Sequence, residues 1–355
     1  MAQKIFNNMS EQNNQNTRIS DLGEFGLIRH LTREVKLYQD STKRGIGDDS
    51  AVMDYSGRQV LVSSDLLLEG IHFSLMYTPL KPLGYKAVVV NISDILAMNA
   101  RPEQIIVSLG VSSKFGLEHI ENFYEGIRLA CDKYHVDLVG GDTTSSVTGM
   151  TIGVTAVGSA EKEQVVYRDG AQVNDIICTT GDLGAAYMGL QLLEREKEVF
   201  KKSPGVQPDL SGYDYILERQ LKPEARADVV RLLAEKDLVP TAMMDVSDGL
   251  SSDVLHICHQ SDLGCKIFQD KIPIHEQTEK MGQELDIDST TAALNGGDDY
   301  ELLFTIPTSE YEKIKDQKEI VPVGHMTSPD FGCYMVSTSD HQVQLKAQGW
   351  NTGRG

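Results

Sequence analysis

A chain of 355 residues with 40% hydrophobic content is long enough for two domains with cores of their own, which excludes a single small module. Its formal net charge of -19, from 52 acidic against 33 basic residues, excludes nucleic acid or an anionic membrane as the main partner and suits a protein that gathers cations. No run of about 18 apolar residues occurs and the start, MAQKIFNNMSEQNNQNTR, has no apolar signal core, so the expectation is a soluble cytoplasmic protein whose five scattered cysteines are reduced thiols.

Residues 1–18 are rich in Asn and Gln and read as a disordered leader. Ser20 or Asp21 then caps a helix in which Phe25, Leu27, Ile28 and Leu31 recur at helical spacing. In residues 45–52, GIGDDSAV, glycines allow a tight backbone, and the adjacent Asp48 and Asp49 point different ways if the chain is extended. An acidic turn is the plain alternative. Residues 59–63, QVLVS, predict a strand with Ser63, Ser64 and Asp65 at its end, an oxygen-only set that suits magnesium rather than zinc. His72 stands alone and reads as a packing or hydrogen-bonding residue unless a substrate anion lies beside it.

The stretch 84–102, GYKAVVVNISDILAMNARP, is the most informative in the chain. From 87 to 100 it is apolar on all sides, the pattern of a helix with no broad solvent face. Asn91 and Asp94 are three apart and share one face of it. A carboxylate in such a setting needs a cation, a dense set of donors or a metal. Lys86 and Arg101 are the nearby basic candidates, so a salt bridge to one of them competes with a metal. Residues 104–110 predict a strand, and 117–134 an amphipathic helix with Ile120, Phe123, Tyr124, Ile127 and Leu129.

In residues 136–146, VDLVGGDTTSS, a short strand runs into Gly140 and Gly141, whose amides can approach an anion while Asp142 is poised for a metal on it. A polar hairpin turn is the alternative. Another strand covers 152–157, and residues 160–173 mark the junction between domains. Arg168 there either clamps a phosphate or pairs with Asp169. The second half opens with a strand at 175–180 and a glycine turn at 181–184 that lacks GxGxxG, so these glycines are structural. Residues 196–213 read as a charged surface loop, and a helix follows over 224–234.

Residues 242–257 carry Asp245, Ser247 and Asp248, then Gly249, then a helix holding Asp253. Gly249 is fifth from Asp245, the wrong register for an EF-hand. His256, Cys258, His259 and Cys265 lack a second ligand pair and read as packing or surface rather than zinc. Residues 294–304, LNGGDDYELLF, repeat the theme of two glycines followed by acids, Asp298, Asp299 and Glu301, before a strand. Trp350, the only tryptophan, lies in the tail.

Asp49, Asp65, Asp94, Asp142 and the pair Asp245 with Asp248 thus sit at glycine turns, strand ends or a buried helix. Were they to converge, divalent cations would be required, because like charges a few Å apart repel by several kcal/mol at an effective dielectric of about 20. There is no GxxxxGK[ST] loop and no HRD or DFG set, which excludes the P-loop and protein-kinase modes of holding a nucleotide. Phosphates bridged by magnesium remain.

The motifs GIGDDSAV, SSDLLLEGIHF, NISDILAMNARP, GGDTTSS, YRDGA, MDVSDGLSSD and GGDDYELLF, collinear over about residues 22–350, resemble those of the thiamine-monophosphate kinases. That family shares a superfamily with aminoimidazole ribonucleotide synthetase and selenophosphate synthetase. GEFGLI at 23–28 and the closing Gly349 and Trp350 also match.

The resemblance implies a two-domain α+β fold, after the 1–18 leader. Residues 19–160 would form an N-terminal sheet-plus-helices domain that binds ATP and magnesium and dimerises through its sheet, and 161–355 a C-terminal α+β domain. It implies several magnesium ions at Asp49, Ser63, Ser64, Asp65, Asp94, Asp142 and Asp245, with Asp248 on a further ion. Tyr124, Gly141, Asp142, Arg168 and Ser247 would contact ATP, and His72, Asp298 and Trp350 would face thiamine monophosphate. Direct in-line transfer between phosphates needs no further catalytic residue. Two departures fall on the substrate side: Asp298 stands where the family usually has Glu, and the usual aromatic after Trp350 is missing. The competing expectations are a sister enzyme with another acceptor and a non-enzymatic acidic nucleotide- or cation-binding protein.

Overall fold

A computed structural model describes residues 42–44, 48–49, 51–55, 57–112, 114–203 and 210–347, all within one contact unit. The leader, the 20–31 helix, the glycines at 45–47 and Trp350 lie outside the described residues. Two sheets organise the rest, as expected for an α+β chain.

The first sheet has six strands in the order β1-β2-β3-β6-β4-β5. These are β1 Thr42–Arg44, β2 Ala51–Tyr55, β3 Arg58–Leu68, β4 Arg101–Val111, β5 Asp137–Ser145 and β6 Thr151–Glu161. All neighbours are antiparallel except β4 and β5. Two helices, α1 (Leu80–Leu96) and α2 (Leu117–Tyr134), share its core through Val88, Ile92, Ile95, Phe123 and Ile127. Pro82 falls in the first turn of α1, where its missing N–H costs no hydrogen bond. A Cβ on Gly84 would stand 2.0 Å from the Phe123 carbonyl oxygen, and one on Gly126 1.8 Å from that of Lys81. This reciprocal contact lets the two backbones touch, and it fixes α1 against α2.

The second sheet has seven strands in the order β13-β12-β9-β11-β7-β10-β8. They are β7 Ile176–Thr180, β8 Ala242–Val246, β9 Gly264–Phe268, β10 Glu301–Ile306, β11 Ile320–Thr327, β12 Cys333–Val336 and β13 Gln342–Gln344. Helices α5 (Ala227–Glu235), α6 (Leu250–Ser261) and α8 (Ser289–Asn295) share cores with this sheet, while α3 (Ala185–Lys202), α4 (Asp214–Leu221) and α7 (Glu276–Leu285) pack together through Met188, Ile216 and Met281. No helix among the described residues is long and apolar enough to cross a membrane.

Three expectations are corrected. The first strand does not stop at Ser63: β3 pairs with β6 from Arg58 to Leu68, so Ser63, Ser64 and Asp65 lie mid-strand and alternate between its faces. The 136–146 glycines are likewise inside β5 rather than at a strand exit. The charged 196–213 stretch is not all loop, because α3 continues to Lys202. Lys197 to Glu194 at 3.0 Å and Lys201 to Glu198 at 2.7 Å are i,i+3 pairs that support the helix where no apolar stripe announces it.

Candidate active site

α1 carries the centre of the site. Asn91 Oδ1 accepts the Asp65 backbone N–H at 2.8 Å while its Nδ2 donates to the Ala87 carbonyl at 2.9 Å, which pins mid-strand β3 to the helix. Ser63, on the same strand face as Asp65, donates its hydroxyl to Asp94 Oδ2. Ser93 donates to Asp245 Oδ2 at 2.6 Å, joining α1 to the end strand β8 of the other sheet. Asp49, Asp94 and Asp245 thereby each place a carboxylate oxygen within 4.8 Å of the other two.

Such a cluster repels itself. Asp94 is pushed well above the ordinary carboxylate range, by burial first and then by Asp65, Asp245 and Asp49. Burial and then Asp49 raise Asp245 to about 7, against the Ser93 hydrogen bond, and Asp65 is raised by burial and Asp49. Neither basic candidate near Asp94 relieves it. Lys86 reaches instead to Asp298 Oδ2 at 2.9 Å and the Gln220 carbonyl at 3.0 Å, and Arg101 is exposed at the start of β4.

Arg168 is buried and committed to acids. Its guanidinium pairs with Asp49 and approaches Asp48 at 3.5 Å. Arg44 takes Asp48 at 3.0 Å and Asp169 at 2.9 Å, so of the two alternatives for Arg168 the pair with Asp169 is not the one formed. Asp48 is still raised to about 6, by burial and by Asp49, with the two arginines opposing.

After β8 the chain turns through Ser247 and Asp248 into α6. Gly249 has φ 99°, and a Cβ there would meet the Leu294 carbonyl oxygen at 2.7 Å. The Asp248 amide donates to Asp253 Oδ2 at 3.3 Å, while Asp253, 0% exposed, leaves Oδ1 with no hydrogen-bond partner among the described residues. Burial, Asp248 and Asp245 raise Asp253 well above the carboxylate range.

Asp298 is tied beside this turn, its amide donating to the Ser247 carbonyl at 2.8 Å. Tyr300 donates to Asp298 Oδ1 at 3.0 Å. Burial opposes the Asp298 charge, but Lys86 outweighs it and holds the carboxyl below its ordinary range. His72 accepts the Leu68 amide at Nδ1, 3.0 Å away, and burial lowers its pKa, with Asp298 and Lys86 acting on it in opposite directions. The Lys86 contact is what the sequence did not reveal; its only signal was a lysine set against an otherwise apolar run.

Other expected residues lie apart in this single chain. Ser64 is exposed and bonds Thr155 Oγ1 at 2.9 Å and the Val154 carbonyl at 3.1 Å, on the face opposite Ser63. Asp142 is exposed on the sheet-edge strand β5, and the register Asp142, Ser108, Gly153, Leu66 puts it three strands, about 14 Å, from β3. Gly141 beside it packs against Val107, and Tyr124 is half-buried on α2, edge-on to Phe123 at 5.8 Å.

Residues 47–160 match the family profile described as AIR synthase related protein, N-terminal domain. The thiamine-monophosphate kinase of Bacillus subtilis (strain 168) is 34% identical over 336 residues, 93% of this chain and 99% of the relative. That of Aquifex aeolicus (strain VF5) is 33% identical over 303 residues, 85% of this chain and 92% of the relative. The solved structure described as AaThiL complexed with AMPPCP and TMP superposes with a TM-score of 0.80 at 31% identity, covering 95% of this chain and 99% of that one.

Proposed function

The chain belongs to the thiamine-monophosphate kinase family, and from that premise we propose that it transfers the γ-phosphoryl group of ATP to thiamine monophosphate. A terminal oxygen of the acceptor phosphate attacks the γ-phosphorus, the bond to the β–γ bridging oxygen breaks, and thiamine diphosphate and ADP leave. The acceptor phosphate is already ionised near neutral pH, so no strong general base is needed.

The observation that carries this reading is the grouping of Asp49, Asp94 and Asp245 within 4.8 Å, with both sequence-adjacent cations turned elsewhere. An all-oxygen donor set, with the orphan oxygen of Asp253 nearby in sequence to Asp248, fits magnesium. Asp49, Asp94 and Asp245 would hold it with Asp65 beside them, and Asp248 a further ion. Magnesium, when bound, supplies the positive charge that lets two phosphates approach.

The chain's own groups supply the positioning. Asn91 and the Ser63 and Ser93 hydroxyls fix the carboxylates, and Arg168 balances Asp48 and Asp49. Lys86, Asp298 and His72 flank the acceptor, with Ser247 on the nucleotide side. Two copies would pair through the six-stranded sheet, whose edge strand β5 exposes Leu138 and Val139. Tyr124, Gly141 and Asp142 would reach a nucleotide through that pairing. Residues 19–160 and 161–355 would serve as the two domains.

The test is purified protein with ATP, magnesium and thiamine monophosphate, with thiamine diphosphate read by fluorescence after oxidation. Thiamine diphosphate formed only when all three are present is expected. ADP release without it would point to a different acceptor and overturn the assignment.

A further inference from the structure

Three of the chain's five cysteines, distant in sequence, meet at one point away from the acidic site. Cys258 lies in the last turn of α6, Cys265 on β9 and Cys333 at the start of β12. β9 and β12 run parallel with Cys265 and Cys333 as register partners, so both thiols leave the same face of the sheet. The three sulfurs lie within 4.8 Å of one another. Cys258 and Cys265 are buried in the core, and Cys333, part-buried, packs against it.

We propose that Cys258, Cys265 and Cys333 form a three-sulfur site for a thiophilic d10 metal ion, Cu(I) or Zn(II). Metal–sulfur bonds of about 2.3 Å place ligand sulfurs about 3.8–4.0 Å apart, a spacing that these thiols reach by small side-chain adjustments. Soft sulfur donors select such ions over magnesium, and the acidic site has only hard oxygen donors. β9 is four strands, about 19 Å, from β8 and Asp245, so the site is separate from the magnesium cluster and does not rest on the proposed kinase reaction.

Each sulfur that ligates gives its proton to solvent. Cu(I) would be satisfied by three sulfurs, whereas Zn(II) would take water as a fourth ligand. Either ion ties the end of α6, whose first turn holds Asp253, to two strands of the sheet. A buried cysteine also packs well as a small hydrophobe, and apolar packing is the competing explanation.

The two are separated by titrating the reduced full-length protein with Cu(I) against a chromophoric copper chelator and, in a second arm, with Zn(II) against a zinc dye. Both arms contain excess magnesium to fill the oxygen site. One equivalent of at least one ion per chain is expected, and the arm that shows it identifies the metal. Affinity falls at least about tenfold in Cys333→Ser and Cys265→Ser, while Cys131→Ser, a half-buried thiol on α2, binds as the wild type does. Absence of stoichiometric binding by the wild type in both arms overturns the site whether or not the variants fold. Wild-type affinity in Cys333→Ser does so equally.

Discussion

Replacing Asp245 by Asn removes one charge from the acidic group and keeps its shape, because the amide oxygen can still accept from Ser93, 2.6 Å away. Two carboxylates within 4.8 Å repel by at least about 3.5 kcal/mol at an effective dielectric of about 20. The Asp245 carboxyl is accordingly raised from 3.8 to about 7, by burial and by Asp49. The native chain therefore holds this proton more tightly than the unfolded chain does. The stability it contributes is whole below about pH 4 and is lost as pH climbs through about 7. At about 1.36 kcal/mol per pH unit, that loss is on the order of 4 kcal/mol. Asn has no proton to lose. In the presence of a chelator, Asp245→Asn should match the wild type near about pH 4 and exceed its stability at about pH 8. Magnesium should reverse the order at the higher pH, since only the wild type has the third carboxylate to bind it. Urea denaturation at several pH values, with chelator or with magnesium, measures both effects. A variant weakened equally at every pH, or stabilised by magnesium as much as the wild type, would refute the reasoning.

Asp94→Asn and Asp65→Asn should each abolish thiamine diphosphate formation while the far-UV circular dichroism stays that of the wild type; retained turnover in either would count against the site. Lys86→Met breaks a pair whose partner Asp298 is 37% exposed at its side chain, so the about 3–5 kcal/mol for a buried pair shrinks to roughly 2 kcal/mol, measured by the urea midpoint. The same variant should raise KM for thiamine monophosphate more than KM for ATP, and equal changes would remove Lys86 from the acceptor side. Gly126→Ala drives a methyl to within 1.8 Å of the Lys81 carbonyl oxygen and should cost about 3 kcal/mol, the upper end for overpacking. An unshifted urea midpoint would show that α1 and α2 can separate cheaply.

What the sequence disclosed is what neighbours along the chain decide. α1 was legible because apolar residues surround Asn91 and Asp94, and the turn after β8 because Asp245, Ser247, Asp248 and Gly249 are consecutive or nearly so. The length of β3 was hidden because Ser63, Ser64 and Asp65 look like a strand's end until eleven residues of pairing with β6 carry them through. Partner choice was hidden as well. Arg168 goes to Asp49 rather than the adjacent Asp169, and Lys86 to Asp298 rather than Asp94 about two turns along the helix, because the packing of the two sheets brings those acids closer. Cys333 joins Cys258 and Cys265 only through strand order, which no local spacing encodes.

Lys86 and Asp94 ride on one unbroken helix, eight residues and therefore about 12 Å apart along its axis. That makes α1 a fixed ruler between the acids and the Lys86–Asp298 pair, with no hinge to lengthen or shorten it. Deleting one residue between them would swing one anchor about 100° around the axis and draw it about 1.5 Å nearer the other. With the acceptor flanked by Lys86 and Asp298 as proposed, any drift toward a longer or shorter acceptor would fall on the loop at 296–300, where Asp298 sits, rather than on the helix.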